Sequence, residues 1–413
     1  MMNIAVLGYG TVGSGVVEII NNRGKDLMNK KMSENLFVKY ILEIRDFPDD
    51  KNKEKFTKNF EDIIRDHEIS VVVETIGGIN PAFDFTSRCL SAGKHVVTSN
   101  KELVAEKGLE LLELAKKNNV NFLFEASVGG GIPILRPLSV CLAANNIRSI
   151  NGILNGTTNF ILTKMISDNM SFETALKIAQ KKGYAEKDPT ADVEGHDACR
   201  KICILAALAF GNHIYPKDVH SEGITKIMLE DVAYAASYNS VIKLIGTAQQ
   251  LNNGQLYILV SPAIVNKTSQ LASVDDVFNA ILVDGDATDE VLFYGKGAGK
   301  FPTASAVVAD VIDACNHTDK RRLIGWGPEK KGVIVDYKTI KNQYYVRLRV
   351  FDSFQILPTI KANLGDIHLL SRSGATTLEL AFITNEYTET ELIDKIENIK
   401  GAELKSLIRV AKC

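Results

Sequence analysis

The sequence predicts an α/β protein in three parts: an N-terminal doubly wound parallel sheet, an α+β domain, and a small C-terminal ferredoxin-like module. Three observations carry that prediction. Short apolar runs alternate with helical segments through the first third of the chain, the signature of parallel strands covered by helices on both faces. A glycine-rich turn joins the first run to the first helix. Beyond a polar, glycine-bearing stretch at residues 317–332, the last segment reads strand, helix, strand, strand, helix, strand, the order of a ferredoxin-like unit.

Taken in order, residues 4–7 form the first strand, and Val12, Val16, Val17, Ile19 and Ile20 recur at helical spacing after the glycines. Further strands are expected at 40–44, 71–74, 95–98 and 122–124, and helices at 83–91 and 103–116, the latter turning Leu103, Leu111, Leu112 and Leu114 inward. From about residue 129 the texture changes to glycine-rich loops, long helices at 171–182 and 198–210, and strands at 257–261 and 291–294. The last module is read as strands 343–350, 367–370, 376–384 and 403–410 with helices 355–364 and 389–399. The expected divisions are therefore 1–128, 129–294, a connection at 317–340, and 341–413.

At about 150 residues per domain, 413 residues exceed one hydrophobic core and suit two or three. The balance of 45% hydrophobic and 24% charged residues is that of a globular protein. With 48 basic and 50 acidic residues the net charge is -2, which gives no field to gather nucleic acid or anionic lipid. Residues 202–210, the longest apolar run, fall well short of the ~20 a bilayer needs, and the N-terminus carries no secretory pattern. A cytoplasmic protein with no membrane and no nucleic-acid partner is expected. The cysteines Cys89, Cys141, Cys199, Cys203, Cys315 and Cys413 form no close pair with metal or redox spacing. Cys199 and Cys203, one turn apart, are read as packing residues.

The turn Gly8-Tyr9-Gly10-Thr11-Val12-Gly13 lies between strand and helix, where glycines let backbone N–H groups approach a pyrophosphate at a helix N-terminus. A plain glycine loop is the alternative, and the position after a strand and before a helix argues against it. The first domain is thus expected to be a Rossmann domain holding NAD or NADP. At the end of the second strand an acidic residue suits a ribose 2′-hydroxyl and a basic one a 2′-phosphate. Here Arg45 and Asp46 supply both, followed by Lys51, Lys53 and Lys55, which favours NADPH unless these lysines only solvate a loop.

The most informative stretch is 183–201, where Glu186, Asp188, Asp192 and Glu194 precede a helix and Asp197 and Lys201 stand one turn apart on it. Beyond Lys201 the helix is apolar through Phe210. An ammonium entering a core needs a partner or a task; the alternative is an exposed ion pair worth about 0.3–0.5 kcal/mol.

Together with residues 74–78, 93–101, 125–133, 155–159 and 295–310, these motifs resemble homoserine dehydrogenase, and the likeness runs from Gly8 to about Asp310. The resemblance implies reversible reduction of L-aspartate 4-semialdehyde to L-homoserine with NAD(P)H, on the route to threonine, methionine and isoleucine. It implies Lys201 as acid/base with Asp197 beside it, Glu186 at the substrate's amino end with Asp192 and Thr157 as further substrate contacts, and Lys101 near nicotinamide and substrate. Gly8, Gly10, Thr11, Val12, Gly13, Arg45 and Gly299 are the expected cofactor contacts. A monovalent cation, Na+ or K+, is implied on main-chain oxygens of Glu125, Val128, Gly130 and Ile132. Residues 295–316 are expected to return to the nucleotide domain, and 129–294 to catalyse and dimerise, giving a homodimer or homotetramer.

The chemistry agrees: hydride reaching an aldehyde makes an alkoxide, and an ammonium within reach supplies charge and proton. Aspartate-semialdehyde dehydrogenase, a rival of similar layout, needs a cysteine nucleophile, and no cysteine here has that setting. A non-catalytic amino-acid sensor is the rival of another class, opposed by Lys101, Glu186, Asp197 and Lys201. The C-terminal module resembles an ACT domain, but its first turn, Asp352-Ser353-Phe354-Gln355-Ile356-Leu357, lacks the usual glycine. Loss of that close backbone approach predicts weak amino-acid feedback and a role in subunit contact.

Overall fold

The computed structural model describes residues 2–31, 35–318, 320–322 and 324–412, without the side chains of 24–31; Cys413, and Asp319 and Leu323 in the expected connection, lie outside the described residues. The chain divides into two compact units, Met1–Asn146 with Cys203–Pro216 and Gly295–Lys330, and Ile147–Ile202 with Lys217–Tyr294 and Lys331–Cys413.

In the first unit, strands β1 (Met2–Leu7), β2 (Leu36–Leu42), β3 (Phe56–Thr57), β4 (Ile69–Glu74), β5 (His95–Thr98) and β6 (Phe122–Leu123) form one sheet in the order β3-β2-β1-β4-β5-β6. Every pairing is parallel. That order is the dinucleotide-binding one, with its crevice at the carboxyl ends of β1 and β4. The strands read as continuous apolar runs because both faces are covered. On one face Val16, Val17 and Ile20 of helix Thr11–Lys31 share a core with Ala304, Val307, Val308 and Val311 of helix Lys300–Asn316. A Cβ at Gly15 would come within 3.0 Å of Ala304 and Lys300, so glycine there lets the two helices approach.

The second strand departs from the sequence reading. It spans 36–42 rather than 40–44, and Ile44, apolar and strand-like in sequence, is 84% exposed. Glu43 folds under the turn and ends the strand, as described below. Other elements differ at their ends only: the helices expected at 83–91 and 103–116 are Ala82–Ser91 and Lys101–Lys117.

The second unit is built on β7 (Ile147–Ile153), β8 (His220–Ser221), β9 (Ser240–Gln250), β10 (Leu256–Asn266), β11 (Phe278–Gly285), β12 (Asp289–Lys296), β13 (Tyr344–Val350), β14 (His368–Leu370), β15 (Glu379–Ile383) and β16 (Ala402–Val410). The last four, with helices Ser353–Leu364 and Glu389–Glu397, follow the expected βαββαβ order and pair antiparallel as β16-β13-β15-β14. Their inner faces and the two helices enclose a core of their own around Tyr344, Val346, Leu348, Ile360, Phe382 and Leu392. Nothing in the sequence announced the next feature. The module is not a separate sheet: β16 pairs parallel with β10, and all ten strands form one sheet, ordered β12-β11-β7-β9-β10-β16-β13-β15-β14 with β8 beside β10. Pairing of two or three residues at a strand end leaves no trace in hydrophobic periodicity. Among the described residues no helix is long and apolar enough to cross a membrane.

Candidate active site

The glycine turn after β1 has the three features a dinucleotide needs. Gly8 sits at φ +92, which lets the chain reverse, and its N–H donates to Leu42 O at 2.9 Å. A Cβ at Gly13 would lie 2.0 Å from Gly8 O, so the helix can seat on the turn only with glycine there; at Gly10 a Cβ would meet no atom within 4 Å. The backbone at Gly10 thus faces open surface above the turn. Helix Thr11–Lys31 begins here with no acidic residue in its first turn, which leaves its positive end for an anion.

Around this turn lie carboxylates whose importance the sequence reading missed. Glu74, at the end of β4 and fully buried, accepts Thr98 Oγ1 at 2.6 Å and Ile76 N at 2.7 Å. Burial pushes its carboxyl above the usual range. Thr98 Oγ1 accepts Asn100 N, while Asn100 donates to Gly78 O at 2.6 Å and caps the next helix by accepting Leu103 N. Lys101 is the first residue of that helix, so Glu74 fixes its base. Glu43 binds Tyr9 N and Arg45 together at the end of β2, and Asp46 pairs with Lys58 at 2.7 Å. Gly299, at φ +131, precedes helix Lys300–Asn316.

Glu125 is held from both ends. Its N–H donates to Asp310 Oδ2 at 2.8 Å, and its carboxylate accepts the N–H groups of Ile134, Leu135 and Arg136 at 2.6, 2.9 and 2.7 Å. Between these anchors the backbone passes through left-handed Gly129 and Gly130, and a Cβ at Gly130 would lie 2.3 Å from Gly297 O. Val128 and Ile132 belong to this same braced loop. Among the described residues no group of three or more His, Cys, Asp or Glu side chains is placed to hold a metal.

The second unit carries the other constellation. Lys201 and Asp197 are 7% and 2% exposed, so the pair is buried and the exposed-pair alternative falls. Lys201 Nζ donates to Asp197 Oδ2 and to Leu154 O, both at 2.7 Å. Asn155 completes the arrangement: its Nδ2 donates to Asp192 Oδ1 at 2.7 Å and Asp197 Oδ2 at 2.9 Å, while its Oδ1 accepts Thr158 N at 2.8 Å and caps helix Gly156–Ser167. An asparagine just before a helical run is a cap signal; the sequence reading noted residues 155–159 but gave Asn155 no role. Thr157 Oγ1 donates to Tyr184 O at 2.6 Å, tying this helix to the 183–195 loop. Glu186 is exposed on that loop, its carbonyl accepting Gln180 Nε2 at 3.1 Å. The fully buried Lys243 of β9 donates to Asn159 Oδ1 and Val274 O, holding the same helix from below.

Lys201, Asp197, Asp192 and Thr157 are thus connected through Asn155 and its helix. Lys101, Arg45, Gly299 and the glycine turn belong to the first unit.

Comparison with known proteins bears on what this arrangement does. Residues 8–125 match the family model described as homoserine dehydrogenase, NAD binding domain, and residues 133–312 the one described as homoserine dehydrogenase. The homoserine dehydrogenase of Bacillus subtilis (strain 168) is 38% identical over 431 residues, spanning 99% of this chain and 98% of that protein. A homoserine dehydrogenase structure from Thiobacillus denitrificans superposes with a TM-score of 0.91 at 34% identity, covering 99% of this chain and 98% of that one. A hyperthermophilic archaeal homoserine dehydrogenase in complex with NADPH gives a TM-score of 0.64 at 28% identity, over 76% of this chain and 97% of that one.

Proposed function

We propose that this chain, which belongs to the homoserine dehydrogenase family and reversibly reduces L-aspartate 4-semialdehyde to L-homoserine with a nicotinamide cofactor, uses Lys201 as its acid/base. The observation that carries the assignment is the burial of its ammonium between Asp197 Oδ2 and Leu154 O. A bound nicotinamide would supply hydride to the aldehyde carbon, leaving the carbonyl oxygen as an alkoxide. Lys201 gives that oxygen its proton in reduction and takes it back in homoserine oxidation. Asp197 holds the ammonium charged and aimed, and Asn155 holds Asp197. Glu186 and Asp192 take the substrate's amino end; Thr157 orders the loop beside it.

The glycine turn fits a dinucleotide: Gly8, Gly10, Thr11, Val12 and Gly13 would hold the pyrophosphate, with Lys101 and Gly299 as further cofactor contacts. We favour NADPH. The basic residue at the end of β2, Arg45, is 60% exposed, the charge of its acidic neighbour Asp46 is offset by Lys58 at 2.7 Å, and the archaeal relative is solved with NADPH. A monovalent cation on the carbonyls of Glu125, Val128, Gly130 and Ile132 is supported by the braced loop they share. We assign 1–128 with 295–316 to cofactor, 129–294 to catalysis and dimerisation, 317–340 to a connection, and 341–413 to an ACT-like module of a homo-oligomer in the cytoplasm.

The test is initial-rate kinetics with aspartate semialdehyde and each of NADPH and NADH, repeated on Glu186→Gln. That variant should raise KM for homoserine more than it alters NADPH affinity. Equal losses for both ligands would make Glu186 a structural residue.

A further inference from the structure

Glu43 stands where a dinucleotide-binding sheet places the carboxylate that accepts a ribose 2′-hydroxyl. It follows Leu42, the last residue of β2, which pairs with Leu7 just ahead of the glycine turn. In this chain that carboxylate is already spent. Oε1 accepts Ile44 N at 3.0 Å, Arg45 N at 3.1 Å and Arg45 Nε at 3.1 Å; Oε2 accepts Tyr9 N and Arg45 Nη2, each at 2.9 Å. A carboxylate offers about four lone-pair sites, so these donors leave no capacity for a ribose.

Arg45 is correspondingly fixed. One edge of its guanidinium, Nε and Nη2, lies on Glu43, and its face lies over Phe47 at 5.4 Å. Phe47 is itself held, stacked on Phe56 at 5.3 Å with Tyr9 edge-on to both rings. The side chain remains 60% exposed, and the edge of the fork that Glu43 does not engage is the Nη1 side.

We infer that Glu43 is a positioning residue for cofactor selectivity, anchoring Arg45 so that its outer edge meets the 2′-phosphate of NADPH. This rests on the reading that Arg45 faces that phosphate. The carboxyl of Glu43 is held down at about 2 by Arg45, its largest influence, so the anchor stays charged throughout the working range. Two effects oppose each other. The negative charge of Glu43 weakens the attraction of Arg45 for an anion, while a pre-formed fork spares the ordering of a long side chain on binding. The carboxylate spreads its charge over the backbone N–H groups of Tyr9, Ile44 and Arg45, so the second effect prevails.

The probes are 2′,5′-ADP and 5′-AMP, which differ only in the 2′-phosphate, bound to the full chain and followed by calorimetry. Wild type should prefer 2′,5′-ADP, and Arg45→Ala should abolish the preference. Glu43→Gln, which keeps the shape and removes the charge, should weaken 2′,5′-ADP by about tenfold while 5′-AMP stays within about twofold, the loss expected when a charge-assisted pair no longer orients the arginine. Glu43→Asp, charged but shorter, should fall between. If Arg45→Ala keeps the preference, the underlying reading of Arg45 fails. If Arg45→Ala loses it while Glu43→Gln keeps or increases it, the anchor fails. Loss of both nucleotides in both Glu43 variants also overturns the proposal, since the residue then only maintains the turn.

Discussion

Replacing Lys201 tests the catalytic assignment and the electrostatics of its setting at once. Its ammonium makes two 2.7 Å hydrogen bonds, and the side chains of Lys201 and Asp197 are 9% and 3% exposed. Removing one partner of a buried pair costs about 3–5 kcal/mol. At about 2–4 °C per kcal/mol for a unit of this size, Lys201→Ala should melt at least ~6 °C below wild type. Turnover should fall by about 100-fold or more, while NADPH affinity, measured by fluorescence titration, stays within a few-fold. Adding Asp197→Asn to Lys201→Ala removes the remaining charge, so the double variant should regain at least half of the lost stability and remain inactive. Thermal melts and homoserine oxidation rates decide the matter. A single variant that turns over within tenfold of wild type would refute the role of Lys201, and a double variant no more stable than the single would refute the electrostatic argument.

Other consequences are open to the same kind of measurement. Gly10→Ala should fold and melt like wild type but bind NADPH at least about tenfold more weakly, whereas Gly13→Ala, whose Cβ would sit 2.0 Å from Gly8 O, should lose thermal stability as well. Burial, with the Glu125 and Asp313 carboxylates adding to it and the Glu125 N–H and Arg136 opposing it, pushes the Asp310 carboxyl up to about 8. The unfolded chain releases that proton near pH ~4 and the folded one only near 8, so Asp310 takes stability away as pH rises through that window. Asp310→Asn still offers an acceptor to Glu125 N–H, and its urea midpoint should decline less between those pH values than that of wild type; identical declines would place the pH dependence elsewhere. In the C-terminal module Asp352 Oδ1 accepts Phe354 N and Gln355 N at 2.9 and 3.0 Å, occupying the amides an amino acid would need at that turn. Threonine should therefore inhibit homoserine oxidation weakly or not at all, and strong inhibition at submillimolar threonine would contradict this.

The sequence made most of this legible where a single physical rule dominates. Apolar runs separated by helical spacing gave the parallel sheet, because full burial on both faces leaves no other pattern. Lys201 stood out because a cation before an apolar helix is costly unless it is held. What escaped were polar residues whose meaning depends on distant neighbours. Glu43, Glu74 and Asp310 read in sequence as ordinary acids, and only the folded chain shows Glu43 and Glu74 gathering N–H or hydroxyl groups from separate segments and Asp310 accepting the distant N–H of Glu125. At the first turn of the module the sequence showed only a missing glycine; in the fold Phe354 is 77% exposed and the capping carboxylate of Asp352 occupies the turn.

One feature of the second sheet bears on how it is made. β16 is synthesised after every strand it joins, yet it sits inside the sheet, between β10 and β13. Its seam with β10, Ala263 beside Arg409 and Ile264 beside Val410, lies on the edge of β10 that β8 also uses. While a ribosome is still adding residues beyond 340, that stretch of β10 presents unpaired backbone, an edge on which strands of other chains can add. The nucleotide-binding sheet has all six strands by residue 123 and can close much earlier. Nascent chains should accordingly be most dependent on chaperones after the first sheet has formed and before the last strand is threaded between its neighbours.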